Sequence, residues 1–290
     1  MVAAALDHPG LRLTAAELVA LRPPARAGRE TPASRRPGAL ASRAPGQGMD
    51  LREIRAFAQG DDLRRLDPSA TARTGQLHVR SFHDDRDDST LLIADFRPAM
   101  LWGTGTALRS VRGARALARI GWQGVARGGS VALVAVGDGP PALLAAGTGA
   151  AQMQAVAAAL ARVHDAALAR AAQAAGRSSG QASGPAQGLA PVLAQARRLA
   201  PPGAQVHLAT GPEGLEGADA ALARLARGRR VSLHLILDPA ETAPPAAGLA
   251  VHDGRAARHG RLCAHDPLPL MARLRGLGLR VATVLPDDTG

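Results

Sequence analysis

Two apolar runs decide the fold class: residues 90–95 (Thr-Leu-Leu-Ile-Ala-Asp) and residues 130–136 (Ser-Val-Ala-Leu-Val-Ala-Val). Both are short and almost free of charged side chains, which is typical of strands buried on both faces of a parallel sheet. A helical period over residues 107–125 separates them. The succession of strand, helix and strand predicts a βαβ unit.

The same alternation extends outward in both directions. It predicts an α/β fold with an open, doubly wound, mostly parallel sheet that carries helices on both faces. Residues 22–48 and 176–188 are rich in Pro, Gly, Arg, Ser or Gln, which predicts irregular structure. Further strands are predicted at residues 76–82, 141–146, 205–209, 231–237 and 280–285, and further helices at residues 14–21, 150–175, 189–199, 216–227 and 267–277.

The charge balance is strongly basic, with a net charge of +11. Every basic residue is arginine, and Ala, Gly and Pro are abundant while Lys and Asn are absent. A G+C-rich coding sequence explains most of that arginine excess without invoking a partner. The chain has three Phe, two Trp and no Tyr, so it also lacks the stacking side chains on which single-strand nucleic-acid binders rely.

Cysteine content and hydropathy indicate a cytoplasmic protein without membrane insertion. Cys263 is the single cysteine, which excludes an intramolecular disulfide and a cysteine-based zinc site. No window offers about eighteen uninterrupted apolar residues, since Arg162 and Asp165 interrupt the best one at residues 151–175. The N-terminus lacks the basic start and apolar core of a signal peptide.

Residues directly after the strands are the natural site candidates, because ligands bind at the carboxyl ends of strands in such sheets. Gly103-Thr104-Gly105 does not continue into a dinucleotide fingerprint, and a P-loop is impossible without Lys. Ser130 does not stand in a nucleophile elbow. His207 and His234 are expected to pack inside strands. We therefore expect no enzyme activity, no cofactor and no small-molecule substrate.

Two charged clusters have plain structural interpretations. The acidic run at residues 84–88 lacks the alternating spacing of a calcium loop, so a solvated turn before a strand is favoured over a cation site. Arg112, Arg115 and Arg119 share one face of the helix predicted at residues 107–125. A solvated face is the expected environment, and an acidic partner is the alternative.

Several motifs follow one another in a consistent order between about residues 45 and 250, and together they resemble the bacterial "domain of unknown function 58" family. Pro68 stands where that family's signature has tryptophan. The motifs are Gly46-Gln47-Gly48, Glu53-Ile54-Arg55-Ala56-Phe57, Gly60-Asp61-Asp62-Leu63-Arg64-Arg65-Leu66-Asp67-Pro68, Ala72-Arg73-Thr74-Gly75, Asp95-Phe96-Arg97-Pro98-Ala99-Met100-Leu101-Trp102-Gly103-Thr104, Arg127-Gly128-Gly129-Ser130-Val131, Ala209-Thr210-Gly211 and Asp238-Pro239-Ala240-Glu241.

The resemblance implies a von Willebrand factor A-like fold and a protein partner, a MoxR-type AAA+ ATPase. It implies a role in the assembly or maturation of other proteins. It also implies three parts: residues 1–45 as an Arg/Pro-rich arm, residues 46–90 as a charged signature segment packed on the sheet, and residues 91–290 as the A-like α/β domain.

The resemblance further implies a degenerate metal site. A-type domains hold a divalent cation at the strand ends through an Asp, two Ser, a Thr and a further Asp, which are hard oxygen ligands. Asp95 is retained here, but Arg97 and Ala99 stand in place of the serines, and Ala209-Thr210 replaces a Ser-Asp pair. We expect no bound metal, with the charge of Arg97 taking its place.

The expected function is therefore non-catalytic protein interaction through the strand-end rim. Packing of Met100 and Trp102 under the arm is the alternative at those two positions, and a basic nucleic-acid or acidic-partner binder using the Arg-rich arm and helix is the alternative function. The interaction candidates are Asp95, Arg97, Met100, Trp102 and Asp138. A structural ion-pair network, or else a docking surface, is predicted for Glu53, Arg55, Asp61, Asp62, Arg64, Asp67 and Arg73.

Overall fold

The computed structural model describes residues 8–24, 39–58, 61–176, 188–252 and 257–284. Strands and helices alternate over most of this length. In chain order the elements are α1 (Ala15–Ala20), β1 (Ala39–Ala56), α2 (Pro68–Thr74), β2 (His78–Asp87), β3 (Ser89–Asp95), α3 (Arg109–Ala126), β4 (Ser130–Val136), β5 (Ala142–Thr148), α4 (Gly149–Gly176), α5 (Leu189–Leu199), β6 (Gln205–Thr210), α6 (Asp219–Ala226), β7 (Arg230–Ile236), α7 (Pro239–Thr242), β8 (Leu249–His252), β9 (Ala257–Gly260), α8 (Leu268–Gly276) and β10 (Arg280–Val284).

The central sheet has six strands in the order β10-β7-β6-β3-β4-β5. All neighbours pair in parallel except β5, which lies antiparallel to β4 at one edge. Every residue of β3 is buried, as expected for a central strand with helices on both faces. The predicted architecture, an α/β domain with a doubly wound, mostly parallel sheet and helices on both faces, is confirmed. Its likeness to von Willebrand factor A domains stays a prediction.

Two hydrophobic cores lie on the two faces of the sheet, because successive side chains of a strand point in opposite directions. Leu92 and Ala94 of β3 belong to the core built with α1, α3 and α4. Leu91 and Ile93 belong to the core built with α5, α6 and α8. This division leaves the carboxyl ends of the parallel strands at one edge, between the two layers of helices.

The N-terminal segment is docked on the first of these cores. Thr14 caps α1 by accepting a hydrogen bond from the backbone of Glu17, and Glu17 in turn pairs with Arg115 of α3. The Trp122 indole nitrogen, also on α3, donates to the carbonyl of Leu18 over 3.0 Å. The helix predicted at residues 14–21 therefore exists and is fastened to α3 through polar contacts.

The extended, largely irregular arm predicted for residues 22–48 is indeed extended from Ala39 onward, but there it is regular and paired as strand β1. This strand pairs antiparallel with β2, and its register shifts between Ala41 and Pro45 and again between Gly46 and Leu51. Bulges of this kind admit Pro and Gly into a ladder, which is why the composition indicated a loop. Residues 25–38 lie outside the described structure.

Two further local predictions are wrong. The backbone of residues 84–87 continues β2, so the acidic run is not a turn. The helix predicted from residue 216 begins only at Asp219, because Gly217 adopts a positive φ of 67° and separates α6 from a preceding 3-10 turn, Pro212–Leu215. The α2 helix and the β8–β9 hairpin had not been anticipated.

Candidate functional site

Asp95, the last residue of β3, is held by hydrogen-bond donors on both carboxylate oxygens. Its Oδ1 accepts from the backbone nitrogen of Arg97 over 3.0 Å and from Arg97 Nε over 2.8 Å. Its Oδ2 accepts from Arg97 Nη2 over 2.7 Å and from the Thr210 hydroxyl over 2.6 Å. A carboxylate offers about four acceptor positions, so the interactions of Asp95 are fully used within the chain.

Arg97 reaches Asp95 because the chain turns directly after β3. Arg97 precedes a 3-10 turn, Pro98–Met100, and its guanidinium also donates to the carbonyl of Gly214 over 3.2 Å. A Cβ at position 214 would clash with the Thr210 hydroxyl and lie 2.8 Å from Arg97 Nη2, so glycine is needed for this close approach. The loops after β3 and β6 are thereby joined at their bases.

The electrostatics favour the charged form of the Arg97 guanidinium. Burial lowers the pKa of the Arg97 guanidinium, but hydrogen bonding to Asp95 and the charges of Asp95 and Asp138 outweigh it and raise the pKa overall. Both side chains are nearly inaccessible, with Arg97 at 9% and Asp95 at 1% exposure. The arrangement is a bidentate guanidinium–carboxylate pair, the strongest common form of ion pair between side chains.

A second buried carboxylate, Asp238, follows β7 at the same edge. It accepts from the backbone nitrogen of Thr104 over 2.9 Å, from the Thr104 hydroxyl and from the backbone nitrogen of Ala240 over 3.0 Å. Burial raises the pKa of Asp238, but these hydrogen bonds and the charge of Arg112 lower it overall. Asp238 and Glu241 also form a capping box at the start of α7.

Arg109, the first residue of α3, connects three strand-end loops. Its guanidinium is fully buried and pairs with Glu213 over 3.1 Å and with Glu241. It also donates to the carbonyl of Ala99 and lies 4.4 Å from the centre of the Trp102 ring, a cation–π contact. Sequence reasoning missed this residue, because its partners come from distant loops and no local motif marks it.

The structure brings together only some of the predicted site residues. Asp95, Arg97 and Thr210 meet as described, and Ala99 is half-buried beside them. Met100 is 1% exposed and belongs to the core beneath α3, so its predicted place on the rim is wrong. Trp102 is half-buried against Arg109, whereas Asp138 is exposed.

The solvated arginine face predicted on α3 is wrong. Arg112 is buried beside Asp238, 3.9 Å from the nearer oxygen, because α3 begins under the strand-end loops. Arg115 pairs with Glu17 of α1, and Arg119 is half-buried. This row of side chains therefore does not form a free basic surface of the kind that the alternative function required.

Contacts in the signature segment join some of the predicted residues to each other and others to residues outside the prediction. Arg55 binds Asp61 in a bidentate pair at 2.6 and 2.8 Å, which lowers the pKa of Asp61. Asp67 caps α2 and pairs with Arg80 over 2.8 Å, a partner that was not predicted. Asp62 accepts from the backbone of Arg64, and Arg73 is exposed at the end of α2. The Glu53 side chain and Gly60 lie outside the described structure.

Three histidines of the α/β domain, His164, His207 and His234, are buried or half-buried. His207 and His234 lie on neighbouring strands with 3.1 Å between their ring nitrogens, and burial together with the charges of His234 and Arg127 lowers the pKa of His207 to about 4. Ser110 and His164 are 2.9 Å apart, a nucleophile and base that sequence reasoning did not pair. Both are fully buried, so a substrate does not reach them.

Asp88 shows how the acidic run is used. It is buried, and its carboxylate accepts from Arg127 over 2.8 Å and from Gln205 over 2.6 Å.

Across the part of the chain that the structure describes, no three His, Cys, Asp or Glu side chains are grouped so that they could hold a metal ion.

The fold and the strand-end site define a class of protein. It is an α/β domain in which an arginine side chain pairs with the carboxylate at the end of the first parallel strand of the sheet. The chain matches the family model described as "Protein of unknown function DUF58" over residues 53–259. It therefore belongs to this family, as the sequence motifs predicted.

Comparison with known proteins adds relatives but no established activity. The chain is 42% identical over 60 residues to the uncharacterized proteins Mb1516 of Mycobacterium bovis and Rv1480 of Mycobacterium tuberculosis, a match covering 21% of this chain and 19% of those proteins. The match thus spans about a fifth of the relatives' length.

Two solved structures are also similar. The conserved hypothetical protein BatB from Bacteroides thetaiotaomicron has a TM-score of 0.43 at 13% identity, covering 69% of this chain and 93% of its own. An aerotolerance-related membrane protein from Bacteroides fragilis has a TM-score of 0.39 at 11% identity with the same coverages. Within the described residues of the present chain, no helix has the length and apolar character needed to cross a membrane. The cytoplasmic location stays a prediction.

Proposed function

We propose that this protein is a non-catalytic protein-interaction module that works with a MoxR-type AAA+ ATPase in the assembly or maturation of other proteins. The observation that carries the proposal is the Asp95–Arg97–Thr210 cluster. Both oxygens of the Asp95 carboxylate accept hydrogen bonds from side chains of the same chain. An internal ion pair therefore fills the strand-end position at which α/β domains commonly bind ligands.

The surroundings of this cluster suit a preformed contact surface. Arg109 ties the loops after β3, β6 and β7 together, and Thr104 joins the first of these loops to Asp238. Loops fixed in this way lose little conformational entropy on binding, which favours association with a protein partner. The exposed or half-exposed groups offered there are Pro98, Trp102, Thr106 and Asp138.

The chemistry available at this edge also favours binding over catalysis. The Ser110–His164 pair is sealed in the core, and the strand-end carboxylates Asp95 and Asp238 are both buried and hydrogen-bonded. We accordingly propose no catalytic residue, no cofactor and no resident metal ion. The degenerate site then serves to hold the loops in place.

A binding experiment with a MoxR-type AAA+ ATPase of the host tests the proposal. The tagged full-length chain is used to capture the purified ATPase, with and without ATP. Thr106→Arg combined with Asp138→Arg alters exposed positions on the strand-end surface, while Gln123→Arg combined with Gln154→Arg alters exposed positions on α3 and α4. We expect the first variant to lose capture and the second to retain it.

Two results would count against the proposal. Absence of any ATPase capture by the unaltered chain removes the proposed partner. Equal capture by both double variants removes the strand-end surface as the site of contact.

A further inference from the structure

A basic groove of about 550 Å³ lies between α5 and α6, away from the strand-end site. Residues 193–198 of α5, residues 221–225 of α6 and Arg229, directly before β7, line it, so it lies near the edge where the parallel strands begin. Leu193 and Leu225 contribute apolar floor. Four arginines line it: Arg197, Arg198, Arg224 and Arg229.

The positive charge of this groove is not neutralised within the described part of the chain. None of the described residues that line it is acidic. No carboxylate of the described residues pairs with Arg197, Arg198 or Arg224, all of which are exposed. The buried arginines Arg97 and Arg109, by contrast, each have a carboxylate partner.

Arg229 has a separate, structural part in the groove. Its guanidinium donates to the carbonyls of Ala200 over 2.7 Å and of Arg197 and Arg227 over 3.2 Å each. Burial and the charge of Arg197 lower the pKa of Arg229. This residue therefore fixes the end of α5 against the turn after α6, and the other three arginines are left as a cationic rim on a rigid base.

We propose that this groove binds an acidic, amphipathic segment of a partner protein. Carboxylates of the segment would pair with the rim arginines, whose planar forks suit carboxylate geometry. Its apolar side chains would lie over the floor between the helices, as in other helix-in-groove contacts. The groove is separate from the strand-end surface, so the inference does not depend on the function proposed above.

The construction of the groove favours a peptide over a compact phosphate ligand. Phosphate sites are commonly built at helix N-termini, where backbone N–H groups point at the anion. Here α5 and α6 present their C-terminal ends, whose partial negative charge opposes a dianion at the floor, and the Arg229 guanidinium is committed to carbonyl groups. The three exposed guanidinium charges exceed the two partial negative charges at the helix C-termini. Carboxylates spaced along the rim are therefore still attracted to the arginines.

Nucleic acid fits less well. None of the described lining residues is aromatic, so bases have no side chain on which to stack, and a phosphate backbone gains nothing from the apolar floor. An anionic membrane surface is bound by apolar side chains that protrude into it, whereas the lining leucines lie at the bottom of a recess between two helices. A protein segment combines the two features that the groove offers.

Fluorescence anisotropy with the full chain tests the proposal. The probe is a labelled, hydrocarbon-stapled helical peptide with leucine on one face and glutamate on the other, and its control has glutamine in place of every glutamate. Arg197→Glu, Arg198→Glu and Arg224→Glu are combined in the groove variant. The charge-matched control combines R261E, R275E and R280E, which alter exposed positions outside the groove.

We expect the groove variant to weaken binding of the acidic peptide at least about tenfold and the control variant to weaken it less than about threefold. The glutamine peptide should bind at least about tenfold more weakly than the acidic one. Circular dichroism and urea unfolding verify that both variants fold, and a milder Arg197→Gln, Arg198→Gln, Arg224→Gln variant should give a smaller loss in the same direction.

Several results would overturn the inference. Equal losses in the two charge-matched variants mean a general effect of net charge. Displacement of the peptide by pyrophosphate, duplex DNA or phosphatidylserine vesicles at lower concentration than the unlabelled peptide assigns the groove to that ligand instead. Failure here leaves ATPase capture by the strand-end surface unaffected, so the two proposals fail independently.

Discussion

Arg97 spans both carboxylate oxygens of Asp95, with Nε 2.8 Å from Oδ1 and Nη2 2.7 Å from Oδ2. The pair is buried at the end of the central strand, at the position where the resemblance implied a degenerate metal site. A guanidinium held in this way supplies a fixed positive charge and also ties Asp95 to the Gly214 carbonyl. The ion pair thereby holds the loop after β3 against the loop after β6.

Removing one member of this pair should be costly. Arg97→Ala leaves Asp95 buried with Thr210 as its side-chain donor, and breaking a buried pair typically costs about 3–5 kcal/mol. Urea unfolding measures the change in free energy. Arg73→Ala, at an exposed position on α2, should change it by less than about 0.5 kcal/mol. Equal effects of the two substitutions would mean that Arg97 does not hold the loops after β3 and β6 together.

Replacement by methionine should cost more stability at Arg109 than at Arg112. Arg109 binds Glu213 and Glu241, so Arg109→Met leaves two carboxylates without their partner and should destabilise the fold by about 2 kcal/mol or more. Among the described residues, no hydrogen-bond acceptor lies within reach of the buried Arg112 guanidinium, and burial lowers its pKa. Arg112→Met leaves Asp238 with its Thr104 and Ala240 donors, so it should destabilise the fold by less than about 2 kcal/mol.

Thermal and urea unfolding of the two methionine variants are compared side by side. Because both positions lie on the first turn of α3, the comparison controls for helix propensity. Destabilisation of the Arg112 variant by as much as the Arg109 variant would show that the charge of Arg112 is needed at Asp238.

Stability should fall in mild acid because of the buried histidines. Burial lowers the pKa of His164 from 6.5 to about 4, so the unfolded chain binds a proton more readily than the folded one between these values. The contribution of neutral His164 to the free energy of unfolding is fully present above pH 6.5. As the pH falls from 6.5 toward 4, the free energy of unfolding decreases by at most about 1.4 kcal/mol per pH unit. His207 acts in the same direction.

Unfolding free energies at about pH 7.5 and pH 5 measure this loss. His164→Gln retains a partner for Ser110 but does not titrate, so its stability should depend on pH by about 2 kcal/mol less than that of the unaltered chain. The matched control is His259→Gln at an exposed position. An unchanged pH dependence in the His164 variant would contradict the burial argument.

Trp122 should matter more to stability than Trp102. Trp122→Phe removes the hydrogen bond to the Leu18 carbonyl and part of the core beneath α1, which should cost about 1–3 kcal/mol. Trp102→Phe retains an aromatic ring over Arg109 and should cost less. A larger loss from the Trp102 variant in urea unfolding would mean that the strand-end loops, rather than α1, limit the stability of the fold.

The sheet could be predicted because its strands are buried on both faces and therefore apolar throughout, as in β3 and β4. The start of β1 could not, since Pro45 and Gly46 indicate a loop unless the register shifts that accommodate them are known. The start of α6 depended on the left-handed conformation of Gly217, which the helical period did not reveal.

The strand-end residues Asp95, Arg97 and Thr210 could be proposed from motifs, because their places follow the strands. The contacts of Arg109 could not, since Glu213 lies 104 residues further along the chain and only the fold brings the two together. The solvated interpretation of Arg112 failed for the same reason: helical spacing places it on a face but does not show that strand-end loops cover that face.

Calorimetric titration of the full-length chain with Mg²⁺ and with Mn²⁺ tests most directly whether Arg97 has taken the place of a cation. The expected result is no binding in the micromolar range, with the same traces for the unaltered chain and for Asp95→Ala. Micromolar binding of either ion by the unaltered chain, abolished by Asp95→Ala, would contradict it.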